Sequence, residues 1–238
     1  MSAWKSKRFW KAAKATEVEG GYTVTLDDRA VKTPAKRALI MPTRAMADAV
    51  AAEWDAQEEE VNPHTMPVTR AANAAIDKVA QQHAEVADLI AAYGDSDLLC
   101  YRADSPDDLV NRQSAAWDPL LEWADRTFGA QLIPTTGLMP KPQNPDDLAK
   151  LSREVHAMDP FTLTAFHDLV GLSGSLIIGF AALRDHDDID TLWKISRIDE
   201  IWQEEQWGED EEATKMAAAK RNQFVAAKAF YNLCVNQD

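Results

Sequence analysis

The sequence predicts an α+β fold in two parts: a small β-rich N-terminal domain with a connecting helix over residues 1–62, and a larger all-helical domain over residues 63–238. The first observation behind this is a charge split. Residues 1–42 hold nine Lys/Arg against four Asp/Glu, a local +5, so with a net charge of −14 residues 43–238 must carry −19. The second is the alternation of Tyr22, Val24 and Leu26, the period of a half-buried strand. The third is that from Thr43 onward apolar residues recur at three- and four-residue steps, the spacing of one helix face.

In the N-terminal part, KRFWKAAK (residues 7–14) and YTVTLDDRAVKTPAKRALIMP (residues 22–42) are short runs punctuated by Gly20-Gly21, Asp27-Asp28 and Pro34, the pattern of a small antiparallel unit. Thr43 then caps a helix with Met46, Ala49, Val50 and Trp54 on one side, running to about Glu60. Asn62-Pro63 breaks it. Pro67 opens the next helix at its first turn, and Ala71, Ala74, Ala75 and Val79 give that helix a small-residue face.

A helix over residues 85–93 ends at Gly94, and Leu98-Leu99-Cys100-Tyr101 is too short to classify. Pro106-Asp107-Asp108 reads as a first turn, where carboxylates favour the positive end of the helix dipole, for a helix carrying Trp117, Leu120, Leu121 and Trp123. Pro134, Gly137, Pro140 and Pro142 mark the longest irregular connection, until Pro145-Asp146-Asp147 restarts helix. Residues 166–183, FHDLVGLSGSLIIGFAAL, are the most apolar run. With His167 and Asp168 near its start, the uninterrupted remainder is shorter than the ~20 residues that cross a bilayer, so one central buried helix is expected and no membrane insertion. Gly171, Ser173, Gly174, Ser175 and Gly179 would let neighbours approach it closely. A final helix over residues 212–236 carries Met216, Phe224, Ala227 and Tyr231 at helical spacing.

The stretch over residues 192–212 joins an apolar stripe to the densest acidity of the chain. Leu192, Ile195, Ile198 and Trp202 share one helix face, broadened by Ile201, and that face is expected to be buried. The same wheel places Glu205 on the stripe and Asp199 at its edge, and turns Glu200 and Glu204 outward. Trp207-Gly208 ends the helix. On these residues alone, the stretch is a solvated acidic face on a core helix.

Composition excludes several functions. A charge of −14 argues against nucleic acid and against electrostatic attachment to anionic lipid, both of which need a basic surface. Cys100 and Cys234 make no disulfide framework, and without a secretory leader pattern the cytoplasm is expected. Neither GxxxxGK[ST] nor GxGxxG occurs, so no nucleotide cofactor is expected. GLSGS at residues 171–175 fails the nucleophile-elbow pattern. His64, His83, His156, His167 and His186 lack metal-ligand spacing. Asp185, Asp187, Asp188 and Asp190 lack the turn glycine and distal glutamate of a calcium loop, and Cys100 sits among packing residues. No catalytic residue, cofactor or metal site is expected.

Several stretches, in order, carry a resemblance: RFWK (8–11), LDDRAVKTPAK (26–36), EWDAQ (53–57), MPVTRAANAAID (66–77), YGDSDLLCYRA (93–103), WDPLLEWA (117–124) and LVGLSGSL (169–176). Residues 196–208 fit S-R-[IL]-[DE]-E-x-[WY]-Q-x-x-x-W-G. Nearly the whole chain resembles the assembly-chaperone family of the ATP synthase catalytic sector. Asp27-Asp28-Arg29 stands where that family usually has Asp-Gly-Arg. Because the family's mitochondrial members begin with a targeting extension, the resemblance implies a bacterial, cytoplasmic member.

The resemblance implies a holding activity, not catalysis, with the unassembled α subunit as client. A lone subunit exposes surface that its neighbours later cover, and such patches aggregate unless occupied. The expected partner-binding residues are Glu200, Asp199, Glu204 and Trp207, because charge speeds encounter and tryptophan supplies contact area. A strand edge of the N-terminal unit could also pair with the client. Two other classes stay open: an enzyme using Asp199, Glu200 and Glu204 as convergent carboxylates in a pocket, and an adaptor with a different client.

Overall fold

The computed structural model describes residues 7–137 and 141–235, so Pro140 and Asn236 lie outside the described residues. Its contacts divide the chain into two compact units, the first made of Met1–Gln82, Asp159–Ala165 and Ala229–Asp238, the second of His83–Met158 and Phe166–Lys228. This differs from the expected division at residue 62. Helix α2 (Pro67–Asp77) belongs to the first unit because Ala72 is wholly buried in that unit's core, with Val68, Ala71 and Ile76 packed against it. Residues 159–165 and 229–238 rejoin the first unit from far along the chain.

In the first unit, strands β1 (Ala13–Val18), β2 (Gly21–Leu26) and β3 (Arg29–Ala30) form an antiparallel meander in that order. Val24 and Leu26 point inward, as the alternation requires. Gly21 is needed for close approach: a Cβ there would sit 2.3 Å from the Met41 carbonyl oxygen, which accepts the Tyr22 N–H at 2.9 Å. Asp27 takes a left-handed φ of 52° in the second turn, a conformation aspartate tolerates. Its carboxylate accepts the Ala12 and Lys11 N–H groups, and these bonds hold its pKa below the ordinary value.

Helix α1 (Arg44–Asp55) buries Met46, Ala47, Val50 and Ala51, with the Thr43 hydroxyl accepting the Met46 N–H at 3.1 Å. Caps of this kind contribute about 1 kcal/mol. It stops at Asp55, short of Glu60, and buried Gln57 ties down the following loop: its amide nitrogen donates to the Glu53 carbonyl and its oxygen accepts the Asn62 N–H. The Glu53 carboxylate accepts the Val68 and Thr69 N–H groups, each at 2.8 Å, and so caps α2, whose own cap residue Met66 supplies no side-chain bond. Asp77 at the far end of α2 accepts from the Thr33 hydroxyl at 2.7 Å and the Ala35 N–H at 3.0 Å. The EWDAQ and MPVTRAANAAID stretches are thus braces of this unit.

The second unit contains α3 (His83–Ala91), α4 (Asp107–Phe128), α5 (Pro145–His156), α7 (Leu176–Leu183), α8 (Ile189–Ile195), α9 (Ile198–Trp207), and most of α6 (Pro160–Ser173) and α10 (Glu211–Val235). Strands β4 (Tyr101–Arg102) and β5 (Thr135–Thr136) pair in parallel, a small departure from an all-helical part. The apolar run over residues 166–183 is two helices. Gly174 turns left-handed at φ 74°, and the Ser175 hydroxyl accepts the Ile178 N–H to start α7, every residue of which is buried. Asp97, wholly buried, completes that start: its carboxylate accepts the Ile177 N–H at 3.1 Å and the Leu99 N–H at 3.0 Å. Burial pushes its pKa up to about 6, against the lowering effect of those bonds. Phe180 stacks on Phe166 and Phe128, each at 4.7 Å between ring centroids. In α10, Phe224 and Ala227 are buried and Met216 is exposed. Among the described residues no helix is long and apolar enough to cross a membrane.

Candidate functional site

The acidic, tryptophan-bearing stretch folds as two helices where the residue spacing predicts one. Asp188 caps α8 by accepting the Asp190 and Thr191 N–H groups and the Thr191 hydroxyl, which together hold its pKa down. Helix α8 ends seven residues later at Ile195, capped by Ser196, whose hydroxyl donates to the Trp193 carbonyl at 2.7 Å. The Ile195 carbonyl, which a continuous helix would use internally, accepts instead from Trp117 Nε1 of α4 at 2.9 Å. Arg197, with φ −117° and ψ 17°, is the bend, and α9 begins at Ile198.

The bend resets the wheel, and α9 has no buried residue. Two polar contacts hold it to α4. The buried Gln113 accepts the Ala103 N–H with its oxygen and donates to the Asp199 carboxylate at 2.6 Å. Arg112 reaches Glu205 at 2.6 Å, with Asp108 at 3.3 Å. Glu205 is therefore an exposed ion-pair partner, not a stripe residue, because the phase carried forward from Leu192 is lost at the bend. Nor is the stripe a buried face beyond Leu192. Ile195, Ile198 and Ile201 stay half-buried and, with Thr191, Lys194 and Arg112, line an open depression of about 220 Å³.

Of the expected partner-binding residues, Glu200 sits in the first turn of α9 and pairs with Arg197 at 2.6 Å, its side chain 43% exposed. Asp199 is half-buried and committed to Gln113. Glu204, half-buried, forms no side-chain hydrogen bond or ion pair with another described residue. Trp207 is 75% exposed, edge-on to Trp202 at 5.6 Å. The structure thus gathers all four on one short helix. It does not converge Asp199, Glu200 and Glu204 on a pocket, since no carboxylate lines the depression. Among the described residues no group of His, Cys, Asp or Glu could hold a metal ion. Burial pushes the Cys100 thiol up to about 12, far from a reactive thiolate.

Arg112 and Gln113 had no signal of their own in the sequence, and Trp117 was legible as an apolar helix position but not as a donor to the bend. Their partners lie about eighty to ninety residues away. Lys194 is in the stretch itself, but its place on the rim follows from the bend.

Three comparisons bear on identity. Residues 7–125 match the family described as ATP12 chaperone protein. The mitochondrial protein atp12 of Schizosaccharomyces pombe is 24% identical over 243 residues, spanning 96% of this chain and 83% of that protein. Crystal structures of Atp12 from Paracoccus denitrificans, and of an aspartate-to-lysine mutant of it, superpose with a TM-score of 0.95 at 47% identity, covering 98% of this chain and 100% of theirs. A protein from Agrobacterium tumefaciens superposes at 0.91 with 40% identity, over 96% of this chain and 86% of its own. The chain belongs to the ATP12 chaperone protein family, chaperones of ATP synthase assembly.

Proposed function

We propose that this chain binds the unassembled α subunit of the ATP synthase catalytic sector without catalysis, and that the client contacts the outward side of α9. The observation that carries the reading is that α9 has no buried residue yet displays Trp207 at 75% exposure beside Glu200 and Glu204. A helix that adds so little to the core has its apolar and acidic side chains available for a partner. Large exposed aromatics are costly on a monomer surface and typical of contact patches. The roles divide: Trp207 supplies contact area, Glu200 and Glu204 supply charge, and Asp199 holds α9 to α4 through Gln113 so that the surface is presented rigidly.

The convergent-carboxylate alternative finds no support in this geometry, since its carboxylates neither share a pocket nor face one another across one. Size-exclusion chromatography of the purified chain mixed with isolated ATP synthase α subunit tests the proposal. The two are expected to co-elute, and Trp207→Ala is expected to reduce the complex. Separate elution at concentrations of tens of micromolar would remove the reading.

A further inference from the structure

The depression on α8 and α9 has an aliphatic floor of Ile195, Ile198 and Ile201 and a cationic rim of Lys194 and Arg112. No carboxylate lines the depression itself, so the charged side chains on its wall are both cationic. Arg112 is already shared between Glu205 and Asp108. Lys194 is exposed, and its ammonium forms no hydrogen bond or close ion pair with another described residue, acting only at longer range on the Asp188 carboxylate. Its stem lines the apolar floor while its charge stays in water, as long cationic side chains commonly do. At about 220 Å³ and open to solvent, the depression falls below the roughly 300–1,000 Å³ of small-molecule pockets. It suits one or two protein side chains.

We propose that this depression seats a client segment that places a branched aliphatic side chain on the three isoleucines and a neighbouring carboxylate against Lys194; this rests on the reading of α9 as the client surface and adds the chemistry of what docks there. Charge identifies the occupant. A carboxylate on the segment is drawn to Lys194, while a basic residue is drawn to the exposed Glu209 and Asp210 beyond the end of α9. The two places therefore select opposite charges on one partner, which fixes its register and disfavours other partners.

Calorimetric titration of isolated ATP synthase α subunit into the full chain tests this with Lys194→Glu, Lys194→Arg and Ile198→Ser. Lys194→Glu is expected to raise Kd at least tenfold at low salt, with the gap narrowing as ionic strength rises. Lys194→Arg is expected to bind like the wild type. Ile198→Ser is expected to raise Kd at every salt concentration. Because Lys194 is exposed, the Lys194 variants keep the test valid if Ile198→Ser folds poorly. Wild-type binding with no change in Lys194→Glu overturns this inference and leaves the proposed function standing. No wild-type binding overturns both. A dimer of the free chain that Lys194→Glu disperses in sedimentation would make a second copy the occupant, and would also overturn it.

Discussion

Glu200→Lys places a cation in the first turn of α9, beside Arg197, and its effects on stability and on binding are separable in size. The wild-type pair is 2.6 Å long with side chains 43% and 21% exposed, a setting in which such a pair contributes about 0.2–1 kcal/mol. An acidic side chain at a helix N-terminus contributes a further ~0.3–1 kcal/mol, and a like-charge pair at this spacing costs about 0.2–0.5 kcal/mol. Together these give a loss of about 0.7–2.5 kcal/mol. For a chain of this length each kcal/mol moves Tm by roughly 2–4 °C, so calorimetry should show a fall of about 1–10 °C. Residue spacing alone, which turned Glu200 toward solvent, predicts almost no change. Client binding should weaken more, because a reversed charge at an interface costs a few kcal/mol, on the order of a hundredfold in Kd. Glu200→Gln removes the charge without adding repulsion and should fall between. Unchanged affinity in Glu200→Lys would refute the placement of the client on this side of α9. A Tm loss well beyond ~10 °C would show that Glu200 holds the fold, so that weaker binding said nothing about contact.

Other outcomes follow from the same geometry. Asp97→Ala strips the acceptor from the Leu99 and Ile177 N–H groups, and should lower the urea-derived stability by about 2–5 kcal/mol. Asp97 also sets a pH dependence: its folded pKa of about 6 lies above the ordinary 3.8, so its contribution is fully present below 3.8 and lost as pH rises through about 6. The stability gap between wild type and Asp97→Ala should therefore be wider near pH 4 than at pH 7, and a constant gap would contradict the burial argument. In α7, a Cβ on Gly179 would meet Val170 at 2.6 Å and Phe166 at 2.9 Å, so Gly179→Ala should lower stability by about 1–3 kcal/mol. Gly171, with nothing within 4 Å of its added Cβ, should gain up to ~1 kcal/mol as alanine; thermal melts of the two variants moving in the same direction would show the packing is misread. Glu205→Ala removes only an exposed pair and should cost less than ~1 kcal/mol, with a larger loss in urea denaturation restoring the stripe reading.

What was legible in the sequence was mostly local. Thr43 and Pro145 are chemical instructions acting within one turn, and each helix starts where its residues say. The β meander was legible because alternation and turn residues agree. The break between α6 and α7 was written in Gly174-Ser175, but those residues also fit tight packing, and only the φ of 74° decides between the two. The bend between α8 and α9 had no such signal. Ser196-Arg197 contains neither glycine nor proline, and the carbonyl that leaves the helix is taken by Trp117, seventy-eight residues earlier. The boundary of the first unit was hidden for the same reason, since residues 159–165 and 229–238 join it only through tertiary contacts. As to the candidate site, the sequence singled out the stretch that forms α8 and α9 but misjudged Glu205 and the burial of the isoleucines, both consequences of that bend.

Isothermal titration of the purified chain with ATP synthase α subunit, free and already paired with its β neighbour, tests the central claim most directly. Saturable binding to the free subunit, lost once β covers it, is the expected result, with affinity moderate enough for β to displace the chaperone. Equal binding to free and paired subunit, or no saturable heat with either, would contradict it.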